Sequence, residues 1–273
     1  MIAAPGTPTS RGPAKLFDTV NRALTVFVVA ASGRGHTFST SYQKWTSDNR
    51  DGLFDRLSYV GVPRHRPACW VPKLGDVVER GILDKCLPVG ATVRHLTGRT
   101  DYRIFYRTTG GLYWKVFTDF PPRFQLNGKA GHSSRETWFA AGKREHVRPV
   151  IAALSSDVFW WWYTVASNLR DLNPSDVQNF PVPEAVLADA GLRELGQRYL
   201  KDIDRNSAML VREQKQTGRT ETQSSKIQKS KPIINEIDCV LARHYGFTEE
   251  ELDFIINYDI KYRMGRDAEG EDE

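Results

Sequence analysis

The chain has 273 residues, 40% of them hydrophobic and 26% charged. These are ordinary proportions for a folded protein and exclude wholesale disorder. The net charge is +5 but uneven: residues 1–150 hold 23 Lys and Arg against 11 Asp and Glu, a net of +12, whereas residues 151–273 hold 15 against 22, a net of −7. A basic half joined to an acidic half points to a polyanion as partner of the first half, with an uneven solvated surface as the plainer alternative.

Residues 1–14, rich in Pro, Gly, Thr and Ser, read as a flexible lead-in. Leu24 to Ala31 is a β-branched apolar run before Ser32-Gly-Arg-Gly, which predicts a buried strand ending in a loop. It is far short of the roughly 20 apolar residues that cross a bilayer, and it starts too late in the chain for a signal peptide. Thr37 to Trp45 suits a second strand, and Asp48 to Tyr59, with Leu53, Phe54 and Leu57, has helical spacing. Residues 60–72, with three prolines, read as loop, and Leu74 to Lys85 is again helical. Tyr102 to Arg107 and Leu112 to Phe117 flank Gly110-Gly111 and predict a hairpin.

From residue 146 the spacing turns helical. Pro149 suits the first turn of a helix running to about Leu169. Asn173-Pro174 and Phe180-Pro-Val-Pro183 break the chain, and an amphipathic helix is predicted from Glu184 to about Gln216. Residues 217–231 are polar and read as mobile. Pro232 opens a helix with Ile233, Ile237, Val240, Leu241 and His244 on one face and Gly246 as its C-terminal cap. Thr248 to Glu251 has the spacing of a capping box for a short helix to Asn257, and the acidic tail after Arg266 reads as disordered.

No phosphate-binding Gly loop with the spacing of a nucleotide fold is present; Ser32-Gly-Arg-Gly-His alone is too little. The six histidines show no metal-ligand spacing. Cys69, Cys86 and Cys239 are odd in number and widely spaced, which excludes a disulfide framework and suits a reduced, cytoplasmic setting. Asp204 with Glu213-Gln-Lys215 has the residue types of a metal-dependent nuclease but reads as solvated helix surface. The positive signal is aromatic and basic interleaving between residues 99 and 144. Arg and Lys neutralise phosphates, and Arg also pairs bidentately with guanine. Core packing is the competing reading for the aromatics, Trp114 among them. In Phe159-Trp-Trp-Trp-Tyr163, packing against a neighbouring layer is favoured over stacking on an extruded base. Asn168, Arg170 and Asp171 are read as loop anchors first and phosphate contacts second.

An ordered set of runs carries a resemblance. They are Pro13 to Asp18, Thr109 to Phe117, Ser133 to Thr137, Leu154 to Tyr163, Asn168 to Pro174, Phe180 to Pro183 and Phe254 to Arg263. Together, from about residue 10 to 266, they resemble the C-terminal part of Type II restriction–modification N6-adenine DNA methyltransferases, in particular the single-chain Type IIG kind. That resemblance implies the end of a methylase domain plus a target recognition domain. The family's adenine chemistry uses an Asn/Asp-Pro-Pro-Tyr/Phe motif that holds the flipped base. This chain lacks it: Asn173-Pro174-Ser175-Asp176 shares only two residues, and the Gly-containing S-adenosylmethionine loop is missing too.

The resemblance therefore implies no catalytic or metal residue and no cofactor in this chain, S-adenosylmethionine belonging to the full enzyme. The expected fold is mixed α/β (α+β): a β-rich recognition region followed by C-terminal helices, with Leu24–Ala31 as a leftover strand of the methylase sheet. The expected regions are 1–60 (start and methylase end), 61–183 (target recognition), 184–266 (helical) and 267–273 (acidic tail). The expected partner is double-stranded DNA, contacted through Arg107, Lys115, Ser134, Arg135 and Arg170. A separate methylase catalytic chain is the second expected partner, and no membrane is involved. Two alternatives remain: half of a split methyltransferase completed by another chain, or a truncated remnant acting only in protein contacts.

Overall fold

Residues 2–3, 26–29, 36–44, 51–63, 70–109, 114–215 and 218–264 are described by the structure, a computed structural model. They form helices and mainly antiparallel sheets, a mixed α/β class without a barrel. Two units separate: residues 1–84 with 162–170, and residues 85–161 with 171–273.

The first unit contains four two-residue strands, β1 (Ile2–Ala3), β2 (Phe38–Ser39), β3 (Gln43–Lys44) and β4 (Val60–Gly61). β1 pairs parallel with β3 and β2 antiparallel with β4. Strands this short contribute few ladder bonds, and side chains fasten the segment instead. Ser39 Oγ donates to Leu74 O at 3.3 Å and accepts from Leu74 N at 3.0 Å. Lys73 is buried, yet its Nζ donates to Val165 O (2.9 Å) and Ser167 O (2.7 Å). Those are carbonyls at a helix end, where a cation satisfies acceptors that have no partner within the helix. Trp70 meets Trp162 edge to face at 5.6 Å.

Three expectations for this unit are corrected. Val26 to Val29 form no strand and stand 52%, 79%, 94% and 80% exposed, so the described part of the run is not a buried strand of a methylase sheet. An apolar β-branched run makes a strand only when another strand pairs with it. The helix expected over Asp48–Tyr59 is, within its described part, a single 3-10 turn at Phe54–Arg56 with nothing buried. Ile2–Ala3, expected in a flexible lead-in, pair with Gln43–Lys44. Ser32 to Gly35 and the rest of the lead-in lie outside the described residues. Helix α1 (Val77–Cys86) matches the spacing that predicted it.

The second unit is built on two sheets. In the first, β5 (Arg103–Arg107) lies between β6 (Phe117–Thr118) and β9 (Glu136–Ala140), antiparallel to both. The predicted pairing around the Gly-Gly segment is therefore present, although Trp114 to Val116 are irregular and residues 110–113 are not described. In the second, β7 (Phe124–Leu126) and β8 (Lys129–Ala130) join β10 (Ser207–Gln214) and β11 (Gly218–Ser225) in the order β10-β11-β7-β8. This overturns two readings: Ser207–Gln214 is a strand rather than the end of a long helix, and Gly218–Ser225 is its partner rather than a mobile stretch. Because β11 pairs with β7, residues expected in separate recognition and helical regions share one sheet.

The helices are α2 (Val147–Leu154), α3 (Asp157–Ala166), α4 (Pro174–Gln178), α5 (Glu184–Ala188), α6 (Ala190–Arg205), α7 (Lys231–Tyr245), α8 (Glu249–Asn257) and α9 (Ile260–Met264). The single helix expected from Pro149 to Leu169 is two, broken at Ser155-Ser156, where Ser156 Oγ accepts from Phe159 N at 3.1 Å. The helix expected from Glu184 ends at Arg205 and is itself interrupted, since Asp189 caps α6 by accepting from Leu192 N at 2.8 Å. Asn173 opens α4 through a capping box with Asp176. The predicted α7, its Gly246 cap in the left-handed region (φ 73°) and the Thr248 capping box of α8 are all present.

The core sits between the inner face of the three-stranded sheet and α2, α3 and α6. Ile104, Tyr106, Phe117 and Phe139 face it, as the burial alternation along β5 requires. Phe117, Phe159 and Phe180 form consecutive edge-to-face contacts at 5.4 and 5.2 Å. Phe159 to Tyr163 are all buried, the packing role expected of that run.

A buried charge cluster ties the last helices to α3. Asp157 accepts from Lys231 Nζ at 2.6 Å and from Arg263 Nη1. Lys231 also donates to Asn235 Oδ1 (2.5 Å) and Ile256 O (2.9 Å). The Arg263 guanidinium lies 3.8 Å from the Trp114 ring centre, and Trp114 Nε1 donates to Arg263 O at 3.2 Å. Asp238 accepts from the Asp157 and Val158 backbone N–H groups at 3.0 and 3.3 Å. Burial, then repulsion from Asp157, push its carboxyl well above the usual range.

Candidate nucleic-acid interface

Alternation along β5 turns Arg103, Phe105 and Arg107 away from the core. Phe105 pairs with Trp138 and Arg107 with Glu136, so these side chains share the outward face of one sheet. Arg103 lies over the Trp138 ring, 4.4 Å from its centre, with Trp138 47% exposed. An arginine held on an exposed tryptophan keeps its N–H groups pointed outward and adds a flat surface for stacking.

Arg135 sits at the other end of this face. Thr108 N (2.9 Å) and Thr108 Oγ1 (3.2 Å) donate to Arg135 O, which fixes the turn before β9 beside the end of β5. Ser133 shapes that turn, its Oγ accepting from Arg135 N at 3.3 Å. Ser134 and Arg135 are exposed within it. The structure thus brings together Arg107, Ser134 and Arg135, three of the five residues singled out by sequence.

The other two are placed differently. Lys115 is half-buried; burial lowers its pKa to about 8 against the attraction of Asp171 and Asp176. Arg170 is exposed but belongs to the other unit, where its backbone N–H donates to Asn168 Oδ1 at 3.0 Å in the loop-anchoring turn expected there.

Sequence reasoning missed Arg103 and Trp138 as site residues, and it missed Arg212 entirely by placing it on a helix. Strand registry puts Arg212 on the same face of the four-stranded sheet as Leu210, Phe124, Leu126 and Lys129. Arg212 is close enough to Arg107 to repel it. Burial and that repulsion lower the Arg107 pKa, and Glu136 opposes them. Arg107 remains a cation because a guanidinium does not deprotonate in proteins. The alternation of Arg103, Phe105 and Arg107 was the signal that could have found this face.

Among the described residues no group of three or more His, Cys, Asp or Glu is placed to hold a metal ion, and no helix is long and apolar enough to cross a membrane. Glu213 and Lys215 are exposed, one on β10 and one just beyond it. Comparison of the chain with models of known protein families, with curated proteins and with solved structures finds no match.

Proposed function

We propose that the chain is a DNA-binding module, the specificity portion of a site-specific adenine methyltransferase or restriction–modification enzyme. In this reading Arg107, Arg135 and Arg212 neutralise backbone phosphates and set the register on duplex DNA. Arg103 on Trp138 adds a stacking and pairing element. The observation that supports it best is the placement of Arg107 between Arg212, near enough to oppose its charge, and an exposed Arg135. Like charges are gathered there at a cost to folding, which a polyanion offsets on binding. The methyltransferase context rests on the ordered sequence resemblance, with S-adenosylmethionine and the adenine motif supplied elsewhere. The test is Arg135→Ala, followed by thermal melting and duplex titration of the same sample. The reading expects weaker DNA binding at unchanged melting temperature; equal binding by both proteins contradicts it.

A second reading is a half-enzyme completed by a methylase chain, and the exposed apolar run Val26 to Val29 favours it. Four consecutive exposed apolar side chains are what a partner would cover. Co-expression with a methylase chain bearing the Asn-Pro-Pro-Tyr motif should then protect this run from labelling.

A further inference from the structure

A cleft of about 560 Å³ opens at the Arg103 end of the sheet. Its lining includes Arg103 at the start of β5, Arg144 in the 3-10 turn before α2, Arg148 on α2 and Arg193 on α6. Four arginines from four places in the chain thus line one cleft. Asp101, Asp119 and Glu145 line the same cleft. Among the described residues none of these carboxylates lies within ion-pair distance of any of the four arginines. Arg103 is positioned by Trp138, and Arg148 Nη1 donates to Gln197 Oε1 at 3.3 Å. Arg193 Nε is buried with no acceptor. With four arginines against three carboxylates the lining carries a net positive charge, so the natural complement of this cleft includes an oxygen-rich anion.

We propose that this cleft is a binding site for a nucleotide phosphate. The arginines take the phosphate oxygens in bidentate pairs. The unpaired carboxylates take hydrogen-bond donors of the same ligand, a base amine from either source and the sugar hydroxyls of a free nucleotide, which favours a nucleotide over a bare phosphate. The volume accommodates one nucleotide. The phosphate comes either from a DNA strand or from a free nucleotide. The proposal rests on the DNA-binding reading only for the first source.

The test is calorimetric titration of the whole chain at low salt with AMP, adenosine, inorganic phosphate and a dinucleotide. AMP should bind, adenosine should not, and Arg144→Ala and Arg193→Met should each weaken AMP binding about tenfold or more, the loss expected for one charged hydrogen-bonding partner. Arg135→Ala, outside the cleft, should bind AMP normally. Arg144→Ala lies in an exposed turn and carries the test if Arg193→Met fails to fold. A dinucleotide that outcompetes AMP, with Arg144→Ala also weakening duplex binding, assigns the strand as source. Tighter AMP with unchanged duplex binding assigns the free nucleotide. Absence of AMP binding at millimolar concentration, equal binding of adenosine, or unchanged affinity in Arg144→Ala overturns the site. Because duplex binding of Arg135→Ala is read separately, the site and the DNA-binding reading fail independently.

Discussion

Replacing Lys231 with Met tests whether the buried charge cluster holds the C-terminal helices on α3. Asp157 is fully buried, and both of its oxygens are used, one by Lys231 and one by Arg263. Lys231→Met preserves chain volume but removes the donor to three acceptors: Asp157 Oδ2, Asn235 Oδ1 and Ile256 O. Arg263 still compensates the Asp157 charge, so the cost is that of buried acceptors left without their donor, about 1–3 kcal/mol for each that finds no other partner. That is a sizeable share of the roughly 5–15 kcal/mol typical of a domain. The Arg80–Asp84 pair, four residues apart on one helix and 35% and 50% exposed, is the internal comparison. Asp84→Asn should cost no more than about 0.5 kcal/mol. Urea unfolding followed by tryptophan fluorescence separates the two, since Trp114 and Trp160 both lie beside Arg263. Equal and small losses from Lys231→Met and Asp84→Asn would refute the assignment of this cluster as the anchor.

Further outcomes follow from individual sites. Gly196 on α6 faces α2, and a Cβ there would lie 2.5 Å from Arg148 O. Gly196→Val should therefore cost about 1–3 kcal/mol by pushing the helices apart, read as a lower melting temperature. Burial raises the Cys86 thiol far above its usual pKa while Cys239 is exposed. Maleimide at pH 8 should label Cys239 and leave Cys86 intact until the protein unfolds, as peptide mapping would show. The Asp189 carboxyl is held below its usual pKa first by Leu192 N–H and then by His244. A lowered carboxylate pKa stabilises the fold above about pH 4 and loses that contribution as pH falls through the folded value. Asp189→Ala should remove the acid-side dependence along with the cap of α6, measured by stability between pH 3 and 6. Lys115, with its pKa near 8, should acetylate at lower pH than the exposed lysines.

Local signals made part of this fold legible. Helix α7 begins beside Pro232 and stops at Gly246, and α8 begins at a box of Thr248 and Glu251; each signal acts within a few residues. The segment Ser207–Gln214 was misread for the opposite reason. Met, Leu, Arg, Glu and Gln are good helix formers, and they follow directly on α6. They form a strand because β11 pairs with them and in turn with Phe124–Leu126, about a hundred residues earlier, a contact that no window of sequence contains. Arg212 stands on that same strand and within electrostatic reach of Arg107, so the candidate interface was half visible. Arg107 and Arg135 stood out by composition, whereas Arg103, Trp138 and Arg212 emerged only once strand register had set their faces. The exposed Val26 to Val29 show the reverse failure, a β-branched run whose pattern promised a strand and which pairs with none among the described residues.

The most direct measurement of the central claim is the salt dependence of duplex DNA binding by the wild-type chain and by Arg107→Ala, Arg135→Ala and Arg212→Ala. Each phosphate neutralised contributes about 0.9 to the slope of log affinity against log salt. The account predicts a steep wild-type slope that falls by about one for each arginine removed, with melting temperatures that do not fall. A flat wild-type slope, or a slope that survives all three substitutions, would contradict it.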